Sequence, residues 1–293
     1  MSDLPTCSGA TIVEDYPGFP VYVIETEEAT AKVSVYGAQV LAWAPKGHEP
    51  VLYLSPRALF EEGKAIRGGI PICWPWFAKH REDDSLPFHG FARTSLWEVV
   101  SCEPAGKEIV LTFRLPCTDE TKKLFPHEFE LTATITVGAQ LSVSLKTRNP
   151  GEKSFQISSA LHTYLAVADI NRVQVDGLIN ASYLDTVGEP TERDQETHLK
   201  IEEEVDRIYK SMASHLVRDL SNHRSIFVDK AGSRTTVVWN PWKQRSKEIA
   251  DLPDNDYKEF LCVETANAWS DRPTVRPNMS HTLTTTIGLR PLG

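Results

Sequence analysis

FELTATITVGAQLSVSLKTRNPG, from Phe129 to Gly151, alternates apolar and polar side chains on both sides of one short turn. Phe129, Leu131, Ala133, Ile135 and Val137 fall on one face of an extended chain, and Leu141, Val143 and Leu145 resume that face after Gly138-Ala139-Gln140. Period two sustained over this length predicts two antiparallel strands joined as a hairpin.

The same signature recurs outward in both directions. VYVIE, AKVSVYG and EIVLTFRL lie upstream, and FQISSALHTYL, RVQVDGL, FLCVETA and HTLTTTIGL downstream. SIFVDKAGSRTTVVWNPW repeats the plan: Ile226 and Val228 lead into a turn at Lys230 to Ser233, and Val237 and Trp239 lead out, which reads as a second hairpin. Helical periodicity is weak. TDETKKLF and WKQRSKEIA have room for a few turns, and KIEEEVDRIYKSM for another short helix. No linker, charge run or internal repeat divides the chain, so residues 1–293 are expected to form one all-β domain, a large antiparallel β-sandwich with a few short helices.

Composition narrows the function classes. With 41% hydrophobic residues the chain can fill a core, and a net charge of −9 leaves no basic stripe to displace counterions from a nucleic acid. A small anion remains a possible ligand wherever a few arginines converge. No stretch approaches the roughly 18 apolar residues of a membrane span, and the N-terminus lacks a basic, then apolar, leader. Five scattered cysteines without C-x-x-C spacing disfavour a disulfide framework and a zinc site. The expectation is a cytoplasmic monomer with buried or idle thiols, no cofactor, no metal, and neither nucleic acid nor membrane as a partner.

Chemistry concentrates in RGGIPICWPWF, Arg67 to Phe77, and PFHGFAR, Pro87 to Arg93. Arg67 and Arg93 beside paired glycines fit a grip on phosphate or sugar hydroxyls, or ordinary surface charge. Trp74, Trp76, Phe77 and Phe91 fit either the core or a stacking wall for a sugar ring. In FQISSALHTYL, alternation sets Phe155, Ile157 and Leu161 on one face and Gln156, Ser158, His162 and Tyr164 on the other, so His162 points away from the main core. Glu264 shares a buried or half-buried face with Phe260 and Cys262, which demands either a salt-bridge partner or an altered pKa. Asp206 sits among acids in EEEVDRIY and reads as a solvated residue on an exposed helix or loop. No nucleotide-binding, metalloprotease, serine-hydrolase or kinase signature appears, so side chains alone must do any chemistry.

IRGGIPICWPWF, HGFAR, LHTYL, EVDRIY, VVWNPW and FLCVETANA, in this order, together with AKVSVYGAQVLAWAP upstream, resemble the hexose-6-phosphate mutarotases (glucose-6-phosphate 1-epimerases), a branch of the aldose 1-epimerase family. The resemblance spans nearly the whole chain. It implies a β-sandwich of the galactose-mutarotase type and cofactor-free interconversion of α and β anomers of a sugar phosphate, glucose 6-phosphate first. His162 then matches the catalytic histidine, as acid near its ordinary pKa, and Glu264 the catalytic glutamate, as base, the two facing each other across a pyranose. Arg67, His89, Arg93 and Asp206 match substrate-binding positions; the glycines would allow close backbone approach and the tryptophans would wall the pocket. Phe88 stands where several relatives carry a polar residue. The alternatives are an epimerase of unphosphorylated aldoses and a carbohydrate-binding protein without turnover.

Overall fold

The structure, a computed structural model, describes residues 4–292. The Phe129–Gly151 stretch forms the expected hairpin. Glu130–Val137 pairs with Leu141–Arg148, from Glu130 opposite Arg148 to Val137 opposite Leu141, and Leu131, Ala133, Ile135, Val137, Leu141, Val143 and Leu145 are all buried.

From this hairpin a nine-stranded sheet extends. Its order is Leu199–Lys200, Val173–Asp176, His215–Asp219, Arg224–Ala231, Ser280–Pro291, Leu141–Arg148, Glu130–Val137, Glu108–Leu115 and Glu98–Ala105. A second, eight-stranded sheet runs Thr191–Asp194, Ser182–Asp185, Val205–Lys210, Thr235–Asn240, Phe260–Asn267, Ser159–Leu161 and Ile72–Cys73, with Tyr164–Ala166 also on Phe260–Asn267. All strand pairs in both sheets are antiparallel. Val238, Leu261 and Val263 of the second sheet share one buried cluster with Ile135, Val143, Ile226 and Leu283 of the first, the interleaved core of a sandwich. A four-stranded sheet, Ala10–Val13 to Gln39–Pro45, adds its own buried side chains, Tyr22, Val33 and Trp43 among them, to the same core.

Two of the expected short helices form. Asp119–Leu124 begins with a reciprocal capping box between Thr118 and Thr121, and Trp242–Ser246 follows Pro241. The third does not: 205–210 is a strand between Ser182–Asp185 and Thr235–Asn240. Ile208 and Tyr209 are buried there, and ladder pairing outweighs the helix propensity of the preceding glutamates.

The expected second hairpin is also not one. Arg224–Ala231 belongs to the nine-stranded sheet and Thr235–Asn240 to the eight-stranded sheet, so the intervening turn carries the chain from one layer to the other. Side chains tie this corner. Lys230 Nζ donates to Thr235 O and Thr236 Oγ1 at 3.0 and 2.7 Å, and Ser233 Oγ donates to Ala266 O at 2.7 Å. Among the described residues no helix is long and apolar enough to cross a membrane.

Candidate active site

The FQISSALHTYL segment is three short strands rather than one: Phe155–Gln156, Ser159–Leu161 and Tyr164–Ala166. The last two pair with Phe260–Asn267 in a single register, Leu161 opposite Thr265 and Tyr164 opposite Cys262. That register sets His162 directly across from Glu264. Directly opposed side chains on one face of a ladder are neighbours, and His162 Nε2 lies 3.4 Å from Glu264 Oε1.

The register extends across the sheet. Cys262 pairs with Trp239, and Trp239 with Asp206, so Tyr164, Cys262, Trp239 and Asp206 form one row beside His162 and Glu264. The Tyr164 ring stacks on His162 at 4.8 Å with 12° between planes, and Trp239 meets His162 edge-on at 5.9 Å. As expected, His162 faces away from the main core: Leu161 enters that core, whereas Tyr164 and Cys262 belong to a smaller cluster on the other face of the sheet.

Burial sets the electrostatics. Neither Glu264 oxygen accepts a hydrogen bond from the described residues, and His162 Nδ1 has no partner either. Loss of hydration pushes the Glu264 carboxyl well above its ordinary range; Asp206 adds to the rise and Arg93 opposes it. The same loss pulls His162 down to about 3, with Arg93 and Arg67 helping. The expected ordinary pKa for His162 is therefore overturned, because a buried imidazole resists charge.

The remaining candidates converge on this pair. His89 adopts a left-handed backbone at φ 67, pinned by two bonds: its amide donates to Ala78 O at 2.8 Å, and its Nδ1 accepts from the Ala78 amide at 3.0 Å. The second bond leaves the ring proton on Nε2. The His89 and His162 rings stand 5.7 Å apart, edge to face. Arg93 donates to Phe88 O at 2.8 Å while its Nε has no partner among the described residues. Arg67 is held more tightly, with Nη2 3.1 Å from Asp251 Oδ1 and Nη1 donating to Tyr164 Oη at 3.2 Å. Asp206 is half-buried on its strand rather than solvated on a helix, and burial followed by Asp185 raises its carboxyl pKa.

Of the two readings open for the aromatics, core and wall, the tryptophans take the first, and the glycines serve the chain itself. Trp74 is fully buried, donates to Thr147 Oγ1 at 3.0 Å and packs against Phe91 and Phe129, so it is core rather than wall. Trp76 is buried too and donates to Pro87 O at 2.8 Å. Phe77 lies against His89, and exposed Phe88 meets the same ring edge-on at 4.2 Å. Gly69 and Gly90 have positive φ, and a Cβ on either would collide with the chain itself, at Val40 O and Trp74 O. Their close backbone approach is internal. Sequence reading set Tyr164 on the face of His162 and Cys262 on that of Glu264 without giving either a part in the site; it missed Trp239, whose signal is a strand register, and Asp251, which carried none.

A carboxyl and an imidazole thus stand side by side on one sheet face, with two arginines, a second histidine and a further carboxylate around them. Residues 20–288 match the aldose 1-epimerase family, and the chain belongs to it. It is 36% identical over 261 residues to an Escherichia coli (strain K12) protein named "Putative glucose-6-phosphate 1-epimerase", covering 88% of this chain and 87% of that one. A Cenchrus ciliaris protein of the same name is 37% identical over 249 residues, covering 80% and 74%. The crystal structure of a "putative mutarotase" from Salmonella typhimurium superposes with a TM-score of 0.91 at 31% identity, covering 98% of this chain and 96% of that one. The fold is the galactose-mutarotase type of β-sandwich, and the protein is an isomerase of the mutarotase class.

Proposed function

We propose that the protein interconverts the α and β anomers of a hexose 6-phosphate, glucose 6-phosphate first, with Glu264 and His162 as the proton-transferring pair. The observation that carries this reading is their opposed placement, 3.4 Å apart, on the face away from the main core. Ring opening removes a proton from the C1 hydroxyl and delivers one to the ring oxygen. Both oxygens are bonded to C1, so the two catalytic groups must stand beside each other, as they do, rather than on opposite sides of the pyranose.

Burial favours neutral Glu264 and neutral His162, while their mutual attraction favours carboxylate and imidazolium. The pair holds one transferable proton either way. One member can therefore donate while the other accepts, and neither needs an ordinary pKa. The forward step starts from the carboxylate–imidazolium form of the pair: Glu264 takes the hydroxyl proton, His162 protonates the ring oxygen, and the bond between C1 and the ring oxygen breaks. The aldehyde end rotates, the freed hydroxyl attacks the other carbonyl face, and the protons return.

Asp206 would hold sugar hydroxyls and keep Glu264 basic, and His89 would donate through Nε2. Arg93, with an unpartnered Nε, would take the phosphate, and Arg67 would assist from its Tyr164 and Asp251 contacts. The pairing of Arg67 with Asp251 favours one second reading, an epimerase of unphosphorylated aldoses, because it compensates the charge of one of the two cations and leaves Arg93 alone to offset a phosphate. Comparing kcat/KM for glucose 6-phosphate and glucose separates them. A preference of at least about tenfold, roughly 1.4 kcal/mol, is expected for the phosphate, and equal values would remove the phosphate from the reading. Five free cysteines also fit a reducing, cytoplasmic setting.

A further inference from the structure

We propose that Cys262 turns the His162–Glu264 pair into an inhibitory site for a borderline divalent cation, zinc first. Cys262 lies two residues before Glu264 on the same face of Phe260–Asn267, and one donor atom from each of Cys262, Glu264 and His162 lies within 4.8 Å of the others. All three side chains are buried, and neither Glu264 oxygen has a hydrogen-bond partner among the described residues.

The geometry suits the ion. Zinc binds imidazole nitrogen and carboxylate oxygen at about 2.0–2.1 Å, which places two such ligands about 3.3 Å apart across a tetrahedral edge. His162 Nε2 and Glu264 Oε1 are already 3.4 Å apart. A thiolate at about 2.3 Å requires an edge of about 3.5 Å, so Cys262 Sγ needs to move by little more than an ångström. Nitrogen, oxygen and sulfur donors together select zinc, or cobalt(II) as its spectroscopic substitute, over magnesium or calcium.

Binding replaces the thiol and carboxyl protons with the metal and releases them to solvent, so it tightens as pH rises. The charges and titratable groups around the three donors are Arg67, Arg93, His89, Asp206, Tyr164 and Cys73. The two arginines weaken cation binding and Asp206 strengthens it. A bound ion occupies the imidazole lone pair and the carboxylate together, which abolishes proton transfer. That consequence rests on the mutarotase reading; the binding itself does not.

The test adds cobalt(II) to the full chain and follows absorbance. Expected are a thiolate-to-cobalt charge-transfer band in the near ultraviolet and intense visible bands of a tetrahedral ion, all displaced by zinc. The charge-transfer band should vanish in Cys262→Ser. Should that variant fail to fold, Glu264→Gln must weaken cobalt binding at least about tenfold, since a carboxamide is a poor ligand. In parallel, zinc should inhibit mutarotation, EDTA should restore it, and Cys262→Ser should require at least about tenfold more zinc. The proposal is overturned if wild type shows no band, if the band persists in Cys262→Ser, or if Cys102→Ser removes it instead, which would assign it to the Cys7 and Cys102 thiols 2.7 Å apart. Equal zinc inhibition of wild type and Cys262→Ser also overturns it. If the protein proves not to be a mutarotase, the absorbance experiment still decides the site.

Discussion

The hairpin of Glu130–Val137 and Leu141–Arg148 and the ladder that joins Ser159–Leu161 and Tyr164–Ala166 to Phe260–Asn267 are built from the same antiparallel pairing. They use burial differently. In the hairpin each strand alternates, and the buried side chains from Leu131 to Leu145 are all aliphatic. In Phe260–Asn267 all eight residues are buried, among them Glu264, Thr265 and Asn267. One face of that strand joins the main core through Leu261 and Val263, while the other holds a carboxyl that no donor among the described residues satisfies. An unsatisfied buried carboxyl destabilises a fold. Its presence beside a buried histidine sets this ladder apart from the hairpin, and the proposed proton transfer would account for it.

Mutations should separate the two regions in opposite directions. Glu264→Gln and His162→Ala are expected to lower kcat by about two to four powers of ten. Glu264→Gln should leave the melting temperature unchanged or higher, because a neutral isostere removes the burden of a buried carboxylate. Ile135→Ala in the hairpin should do the reverse, losing about 2–5 kcal/mol of stability while kcat per folded molecule stays the same. Urea unfolding and anomer-exchange rates measured on each variant check both. A large loss of stability in Glu264→Gln, or a large loss of kcat in Ile135→Ala, would break the contrast.

Arg93→Ala sharpens the site side of the comparison. It should raise KM for glucose 6-phosphate about tenfold or more, the loss of one charge-assisted contact, and leave KM for glucose nearly unchanged. Equal losses for both sugars would assign Arg93 to the ring hydroxyls or the fold.

Stability is also expected to be graded with pH. Burial lowers the pKa of His89, of His162 to about 3 and of His215 to about 4. Below pH 6.5 the unfolded chain binds protons that these folded histidines refuse, so stability falls as pH falls from 6.5 toward 4. Each histidine contributes a slope of up to about 1.4 kcal/mol per pH unit. Glu264 runs the other way: its folded pKa is raised, so its contribution is present below pH 4.5 and is lost as pH rises above it. Urea midpoints between pH 7 and 5 should show the net loss, and the His162 ring resonances should not titrate across that range.

The contrast also explains what the sequence discloses. Where one face is core and the other solvent, alternation specifies strand, turn and face, and Phe129 to Leu145 is legible without coordinates. The corner after Ala231 is not, because the same turn residues serve a hairpin or a change of sheet, and layer membership is decided by distant strands. Val205–Lys210 is disguised by the glutamates before it, and its sheet neighbours decide its conformation. At the site, residue types leave His162 and Glu264 open and the family resemblance singles them out as candidates, while their opposed register follows only once Leu161 and Tyr164 are placed against Thr265 and Cys262. Scattered cysteines give no hint that Cys262 lies among them, since the grouping is made by a fold and not by spacing.

The most direct test of proton transfer between Glu264 and His162 is magnetisation-exchange NMR on the equilibrium anomers of glucose 6-phosphate. Catalytic amounts of the wild-type chain should produce exchange cross-peaks between the α and β C1 protons well above the spontaneous rate, and Glu264→Gln should return them to near that rate. Exchange as fast with the variant as with wild type would contradict the account.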